Sequence, residues 1–251
     1  MRYWPPLWTV KGDIPIFDCM ACPRYAVTMP RTARASVGDL CYHVINRGNA
    51  RAVVFHEDGD YQAFLDLIAA ACDRLPMRVL GFCLMPNHFH LVLRPHEDGD
   101  LSRWMQWLLT AHVRRYHKHH HTIGSGHIWQ GRFKAFPIQQ DEHLLTVLRY
   151  VERNPLRANL VNTAQQWRWS SLRHRSARAA PPWLGPLPIA LPANWPRRVN
   201  RAESEVELAA IRRSVQRGTP FGGEKWTATT ATRLGLESTL RPRGRPRKAA
   251  P

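Results

Sequence analysis

The stretch MRVLGFCLMPNHFHLVLRP, residues 77–95, predicts a β-hairpin. Its two apolar halves are separated by Met-Pro-Asn at 85–87, and proline followed by asparagine favours a tight turn. Because alternate residues of a strand point the same way, His88 and His90 would lie side by side on one face, with Phe89 on the other. Such a pair supplies two ligands for a divalent metal, although in a chain with 13 histidines the spacing alone is a weak signal.

The segments around the hairpin complete a βαββαβ order followed by one more helix. Apolar periodicity and turn residues define each segment, and Ser102 is the expected N-cap of the second helix. This order matches the α+β, ferredoxin-like plan, in which two helices cover one face of the sheet and leave the other free for a partner. The predicted segments are a strand at 40–48, a helix at 58–75, the hairpin, a helix at 100–121, a strand at 128–138 and a helix from 141 that stops at Asn154 before Pro155.

The rest of the chain divides by composition. Residues 1–28 show neither strand nor helix periodicity and precede Met29, which predicts a poorly ordered extension or a true start at Met29. Six prolines between 176 and 198 indicate a linker or an extended wrap. The expected divisions are an extension at 1–28, the main domain at 29–174, a Pro-rich linker at 175–200, a small helical region at 201–240 and a basic tail at 241–251.

The charge of the chain points to a polyanionic partner. The 36 Lys and Arg residues outnumber the 19 Asp and Glu residues, which gives a net charge of +17. Nucleic acid is therefore the expected partner. No apolar run approaches the ~18 residues of a membrane span, so a membrane is not an expected partner. A small-molecule cofactor is not expected either. Five scattered cysteines indicate a reducing cytoplasm, and the CxxC of Cys19 and Cys22 lacks the second pair of a zinc site.

A nucleophile is a further requirement for chemistry at the histidine pair. Tyr150 and Asn154 lie four residues apart on one predicted helix, hence on one face and about one turn apart. The Tyr150 phenol can act as a nucleophile, and the Asn154 carbonyl oxygen can join His88 and His90 around a metal. The alternative is that Tyr150 is a packed helix residue, as most tyrosines at such positions are.

Several linked motifs, taken together, resemble the REP-associated tyrosine transposases, a branch of the single-tyrosine, His-hydrophobe-His transposase superfamily with an IS200-like domain. They occur in the family's order within residues 29–174: MPRTAR, YHVINRGN, MPNHFHLVLRP, HIWQGRFKA, DEHLLTVLRYVERNPLRANLV and WRWSSLRHR. The resemblance implies a ferredoxin-like fold, with His88 and His90 as metal ligands and Tyr150 as the nucleophile. Asn154 matches a third polar ligand, a position where other relatives carry Gln.

The resemblance also implies a reaction, namely cleavage of single-stranded DNA beside a hairpin, with Mg²⁺ or Mn²⁺ as cofactor. Tyr150 would form a 5′-phosphotyrosyl link and release a 3′-hydroxyl. His143, two helical turns before Tyr150, is a candidate proton acceptor. Two other interpretations stay open: a catalytically silent hairpin-binding regulator, and a nuclease that uses a metal-bound water instead of Tyr150. Monomer and homodimer are both compatible with the sequence, and a nucleoid-associated cytoplasmic location is expected.

Two segments are candidate DNA contacts. In the first, Trp129 can stack on an unpaired base and Arg132 and Lys134 can hold phosphates, while the resemblance adds Gln130. The alternative is that Trp129 anchors the core. In the second, PRGRP at 242–246 has the form of an AT-hook, which inserts Arg-Gly-Arg into a narrow minor groove, or of a plain basic tail. The tail candidates are Arg241, Arg243, Arg245 and Arg247.

Overall fold

The computed structural model describes residues 36–177 and 180–241, which form an α+β fold around one antiparallel sheet. The strand order is β2-β3-β1-β4, as in the ferredoxin-like plan, so the predicted fold class is confirmed. Of the two hairpin strands, β3 is central and β2 forms an edge. The strands are β1 (Cys41–Arg47), β2 (Met77–Met85), β3 (His88–Pro95) and β4 (Lys134–Ile138).

The hairpin has the predicted turn. Met85 pairs with His88, which leaves only Pro86 and Asn87 between the strands. Along β3 the side chains alternate between two separate apolar clusters, with Phe89 in one and Val92 in the other. The histidine pair therefore lies on the same face of the sheet as Val92.

Helices α1 (Asp58–Arg74) and α2 (Asp100–His119) cover the face that contains Phe89. The prediction of Ser102 as the N-cap of α2 was wrong, since the cap is Gly99 in a left-handed conformation with φ of 85°. Glycine adopts this conformation without strain, and the cap lies three residues before the expected one. The Asp100 carboxylate then accepts the backbone N–H of Glu97 at 2.9 Å.

The last strand is shorter than predicted. It begins at Lys134 because residues 131–133 interrupt the pairing with β1, where Gly131 has a φ of 146°, although Gln130 N–H still donates to Arg47 O at 2.8 Å. Trp129 pairs with Gly48 through an isolated bridge. Residues 128–133 thus form a loop against the end of β1.

The second face of the sheet carries α3 (Glu142–Glu152) and, directly after it, α4 (Asn154–Arg157). The predicted helix therefore ends at Glu152 and not at Asn154. Pro155 lies in the first turn of α4 and cannot donate a backbone hydrogen bond to α3. A new helical turn consequently starts at the proline.

The rest of the chain corrects the expectation that this second face is free. Buried Trp195 and Ile211 belong to the same apolar cluster as α3 and Val92. Residues 180–194 contact the edge of the sheet, since Gly185 N–H donates to Val79 O of β2 at 2.9 Å. The remaining helices are α5 (Ser171–Ser176), α6 (Trp195–Asn200), α7 (Glu205–Arg217), α8 (Glu224–Arg233) and α9 (Glu237–Leu240), with 3-10 turns at Asn49–Arg51 and Ala164–Gln166.

A buried carboxylate joins α3 to this C-terminal chain. Glu152 is fully buried and accepts hydrogen bonds from Ser171 Oγ at 2.6 Å and from Trp195 Nε1 at 2.7 Å. The predicted extension at 1–28, with Cys19 and Cys22, lies outside the described residues, as do 242–251 of the predicted tail. Within the described ranges, none of the helices has the length and apolar character needed to cross a membrane.

Candidate functional site

A cavity of about 690 Å³ opens at the end of the sheet where β3 begins, beside α3. Its walls come from the sheet, from α3 and α4, and from α7 of the C-terminal region. Seven of the residues singled out in the sequence line it: His88, His90, Gln130, Arg132, Lys134, Tyr150 and Asn154. The fold thus brings together residues that are up to 66 positions apart in the chain, as His88 and Asn154 are.

His88 has a defined tautomer. Its Nδ1 lies 2.6 Å from Oδ1 of Asn87, and because an amide oxygen can only accept, Nδ1 carries the hydrogen. Nε2 of His88 therefore keeps its lone pair. The His88 and His90 rings are 5.0 Å apart between centroids and nearly perpendicular.

His90 is supported by a second histidine that the sequence analysis did not select. His43 of β1 is fully buried, and its Nε2 lies 2.8 Å from His90 Nδ1. If the Nδ1–H of His90 donates to His43, then His90 also presents an Nε2 lone pair. His43 Nδ1 must then carry the hydrogen, and it is a buried atom without a hydrogen-bond partner in the described part of the chain.

Burial keeps these three imidazoles neutral. It lowers the pKa of His88 to about 4 and that of His43 to about 3, and it holds the pKa of His90 well below the usual value. A neutral imidazole is the form that coordinates a metal. Two neutral Nε2 atoms therefore suit a divalent ion that keeps open positions for phosphate oxygens and water.

Tyr150 lies against this pair. Its side chain is 9% exposed, and its ring meets the His90 ring edge-on, with centroids 5.7 Å apart. Burial raises the pKa of the phenol, while the positive charges of Arg157 and Arg212 act in the opposite direction. The Arg157 guanidinium carbon lies 4.4 Å above the centre of the Tyr150 ring.

Asn154 lines the cavity with its amide in a fixed orientation. Its Nδ2 donates to Tyr150 O at 3.0 Å and to Val151 O at 3.3 Å. Pro155 has no backbone N–H, so it cannot form the helical hydrogen bond to Val151 O, and the Asn154 side chain donates to this oxygen instead. Oδ1 is therefore the atom left to meet a ligand, and Arg157 Nη2 lies 3.5 Å from it.

The candidate DNA contacts divide into two groups. Gln130, Arg132 and Lys134 are exposed at the mouth of the cavity. Trp129 is only 5% exposed and packs against Phe89, with ring centroids 5.1 Å apart, so the prediction of a base-stacking role is corrected in favour of the core alternative. Arg241 is exposed after α9, and Arg243, Arg245 and Arg247 lie outside the described residues.

His143 does not face Tyr150. Its Nδ1 lies 2.7 Å from Oδ1 of Asp141 at the start of α3, and its ring packs on Phe221. It is absent from the described residues that line the cavity. The expectation that His143 takes the Tyr150 proton is therefore corrected, since two helical turns place it about 10 Å away along the axis.

Four residues were missed in the sequence: three line the cavity, and the fourth, His43, lies against His90. His43 shows the same signal as His90, a histidine within an apolar strand, and Arg157 is seven residues after Tyr150, which is two turns of a continuous helix. Arg47 ends β1 directly opposite His88. Arg212 comes from α7, and no local pattern links it to the site.

Comparison with known proteins finds similarity to transposases. Residues 36–154 match the family described as IS200-like transposases. A Haemophilus influenzae protein, provisionally named a REP-associated tyrosine transposase, is 28% identical over 116 residues, 43% of this chain and 65% of that protein. The chain thus matches slightly less than two thirds of that relative's length.

Two solved structures are similar at 20% identity. One is a REP-associated tyrosine transposase bound to a REP hairpin, with a TM-score of 0.48 over 64% of this chain and 93% of that one. The other is a provisionally named transposase from Deinococcus radiodurans R1, with a TM-score of 0.36 over 48% of this chain and 94% of that one.

Proposed function

Because residues 36–154 match the family of IS200-like transposases, we propose that this protein is a metal-dependent single-stranded DNA endonuclease and strand transferase that acts at hairpin sequences. The observation that carries the proposal is the meeting of Tyr150 with two neutral histidines in one cavity. Each of those histidines can present an Nε2 lone pair beside the phenol.

The substrate follows from the charge of the cavity. Five cationic side chains line it, and Coulomb attraction to successive phosphates favours a single strand laid across its mouth. The name of the curated relative associates that protein with REP elements, which supports a hairpin as the target here. The cations are Arg47, Arg132, Lys134, Arg157 and Arg212.

In the proposed reaction, Tyr150 Oη attacks the phosphorus atom of the scissile phosphodiester, and the bond between that phosphorus and the 3′-oxygen breaks. Tyr150 Oη thereby becomes linked to the 5′-phosphate, and the other fragment leaves with a free 3′-hydroxyl. Since the phosphotyrosine keeps the energy of the diester, attack by a second 3′-hydroxyl restores Tyr150 and joins strands without ATP. The positive charges of Arg157 and Arg212 favour loss of the phenol proton, in opposition to burial.

The cofactor we infer is Mg²⁺ or Mn²⁺, held by His88, His90 and Asn154. When bound there, the ion would polarise the scissile phosphate and offset the charge that develops on its oxygens. The protein itself contributes two neutral imidazoles, with Asn87 and His43 as the hydrogen-bond partners of their Nδ1 atoms.

The catalytic unit we propose is a single chain. Arg212 lines the cavity from α7, and Arg157 Nη1 lies 3.6 Å from the Glu203 carboxylate just before that helix. The C-terminal region therefore supports the nucleophile side of the site within one chain.

We further propose that residues 241–251 bind flanking duplex as an AT-hook, and deletion of that tail should then lower both the affinity for DNA and the dependence of that affinity on salt.

The deciding experiment is a covalent trapping assay. The protein is incubated with single-stranded hairpin oligonucleotides and Mn²⁺ or Mg²⁺, and a denaturing gel shows whether labelled DNA remains attached. We expect the fragment 3′ of the break to become linked to the wild type, and no link in Tyr150→Phe. Tyr61→Phe is the matched control, because Tyr61 is a buried tyrosine stacked on Trp169 on the other face of the sheet.

Two results would support the competing interpretations. Cleavage by Tyr150→Phe at the wild-type rate would identify a nuclease that uses metal-bound water. Tight hairpin binding by the wild type with neither adduct nor cleavage, in both metals, would identify a regulatory DNA-binding protein.

A further inference from the structure

A second group of metal-ligand side chains lies where α1 begins and α2 ends. Asp60, His119 and His120 each offer one ligand atom, and these atoms all lie within 4.8 Å of one another. Both helices cover the face of the sheet opposite the histidine pair of the cavity. Throughout residues 36–177 and 180–241, no other group of three or more His, Cys, Asp or Glu residues has this geometry.

Asp60 is held in place before any ligand arrives. Its side chain is 10% exposed, and its Oδ2 accepts backbone N–H groups from His56 at 2.8 Å and Glu57 at 3.4 Å. The other oxygen, Oδ1, lies 3.2 Å from Nε2 of His120. A single carboxylate oxygen is thus presented to the imidazoles in a fixed direction.

A second carboxylate approaches from the side exposed to solvent. Glu57 Oε1 lies 3.5 Å from His119 Nε2, and both side chains are more than half exposed. Two ligands of a tetrahedral zinc ion, each at about 2.0–2.1 Å from the metal, are about 3.4 Å from one another. The two nitrogen-to-oxygen distances at this cluster therefore already match the edges of a zinc tetrahedron.

Aromatic rings close the cluster on its inner side. The Tyr116 ring lies 4.3 Å from that of His120, and its hydroxyl is 3.0 Å from Nε2 of His56. The His56 ring is in turn 5.1 Å from His120. These ring contacts restrict the rotation of the His120 side chain.

We propose that Asp60, His119 and His120 bind a Zn²⁺ ion, and that a rotation of the exposed Glu57 side chain brings its carboxylate in as the fourth ligand. Two imidazoles and two carboxylates form a donor set that zinc accepts in four-coordinate sites. All four positions would then be filled by protein, which indicates a structural role and not a catalytic one. This site is separate from the DNA-cleaving cavity and does not depend on the function proposed for it.

The ion would tie the first turn of α1 to the last turn of α2. From His120 the chain continues through a loop to Gln130 and Arg132, which line the cavity. The zinc site would therefore fix the point from which this loop departs. We expect zinc to slow hydrogen exchange at the end of α2.

Zinc binding by the full chain tests the proposal. Protein stripped with a chelator is dialysed against ZnCl₂, and its metal content and thermal unfolding are measured for the wild type, His119→Gln and His120→Gln. His119 is 58% exposed, so its substitution leaves the packing intact. His127→Gln is the matched control, because His127 is an exposed histidine on the following loop, outside the cluster.

We expect each cluster variant to lose about one zinc per chain relative to the wild type and to lose the zinc-dependent rise in unfolding temperature. The His127→Gln control should keep both. Zinc bound at the cavity contributes equally to all four proteins and cancels in the difference. Equal zinc content in the wild type and both cluster variants, or equal loss in the control, would overturn the proposal.

Discussion

The buried contact between His43 and His90 sets the chemistry of the cavity at the level of single atoms. An imidazole that binds metal through one nitrogen usually donates the hydrogen of the other, which fixes both its tautomer and its orientation. Most such partners are carboxylates or carbonyls, whereas here the partner is a neutral histidine, which does not raise the basicity of His90 as a carboxylate would. The role that we propose for His43 is therefore orientation.

Replacement of His43 by leucine should weaken metal binding. We expect the Mn²⁺ affinity to fall by about tenfold to a hundredfold, because the His90 ring loses the acceptor that fixes its tautomer. The Mn²⁺ dependence of adduct formation should shift by the same factor, with activity restored at high Mn²⁺. Isothermal titration with Mn²⁺ measures the binding directly.

Phe136→Leu is the control for packing in this prediction. Phe136 is buried and its ring lies 4.9 Å from that of His43, but it makes no hydrogen bond to His90. An equal loss of Mn²⁺ affinity in this variant would show that ring packing, and not the hydrogen bond, supports His90.

His112 makes the stability of the fold depend on pH. It lies in the aromatic core beside Phe64 and Trp129, where burial lowers its pKa to about 4. The unfolded chain binds a proton near pH 6.5, whereas the folded chain stays neutral at this position until about pH 4. Between those values each fall of one pH unit favours unfolding by about 1.4 kcal/mol through His112.

His112→Phe should remove this acid sensitivity. The free energy of unfolding of the variant relative to the wild type should rise by about 1.4 kcal/mol per pH unit as the pH falls from about 6.5 to about 4.5. Urea unfolding across this range measures the difference, and the value at pH 8 gives the effect of packing alone. If the free energy of unfolding depended on pH in the same way in the two proteins, the prediction would be contradicted.

At the scale of elements, the position of α3 depends on a glycine in the neighbouring strand. Gly81 of β2 lies under this helix, and a Cβ built on it would meet Leu148 Cδ2 at 2.5 Å. Leu148 is 1% exposed and two residues before Tyr150, so it has little room to yield. The approach of α3 to the sheet thus requires glycine at this position.

Gly81→Ala should displace the nucleophile. We expect a loss of about 1–3 kcal/mol in unfolding free energy, and a fall of at least about tenfold in the rate of adduct formation. Affinity for hairpin DNA should change little, because the cationic side chains belong to other elements. Single-turnover trapping and urea unfolding separate these effects.

Two further variants give this prediction its controls. Gly185→Ala should be neutral, since its Cβ would find its nearest neighbour at 3.8 Å. Leu148→Val should partly rescue Gly81→Ala, because the shorter side chain leaves space for the added methyl. If the losses in unfolding free energy caused by Gly81→Ala and Leu148→Val simply added in the double variant, the proposed contact would be contradicted.

The hairpin and the histidine pair could be predicted because their signals are local. A period of two places His88 and His90 on one face whatever the rest of the chain does. His43 could not be assigned in this way, because its partner is 47 residues away and the pairing of β1 with β3 brings them together. Trp129 could not be assigned either, since periodicity carries no information about which loop residues turn into the core.

The whole molecule differs most from the sequence prediction on the second face of the sheet. A proline-rich chain has no periodicity from which packing could be inferred, and yet it delivers buried Trp195 to Glu152. It then continues into α7, which adds Arg212 to the cavity wall. The C-terminal region thereby becomes part of the cavity that we propose as the substrate site, a consequence of tertiary contacts alone.

Arg212 offers a test of this contribution. If α7 helps to bind the single strand, Arg212→Gln should lower its affinity by about three- to tenfold and reduce the slope of log affinity against log salt by about one, because one phosphate contact is lost. Fluorescence anisotropy with a hairpin oligonucleotide between about 50 and about 200 mM salt measures both quantities.

The adjacent Arg213→Gln provides the comparison, since Arg213 is exposed and its Nη2 donates to Leu240 O at 3.2 Å, away from the cavity. Both variants change the net charge of +17 by the same amount, so long-range attraction to DNA falls equally in the two. A difference between them must come from the position of Arg212 in the cavity wall. Equal affinities and equal salt slopes would remove α7 from the binding surface and confine substrate recognition to the sheet, α3 and α4.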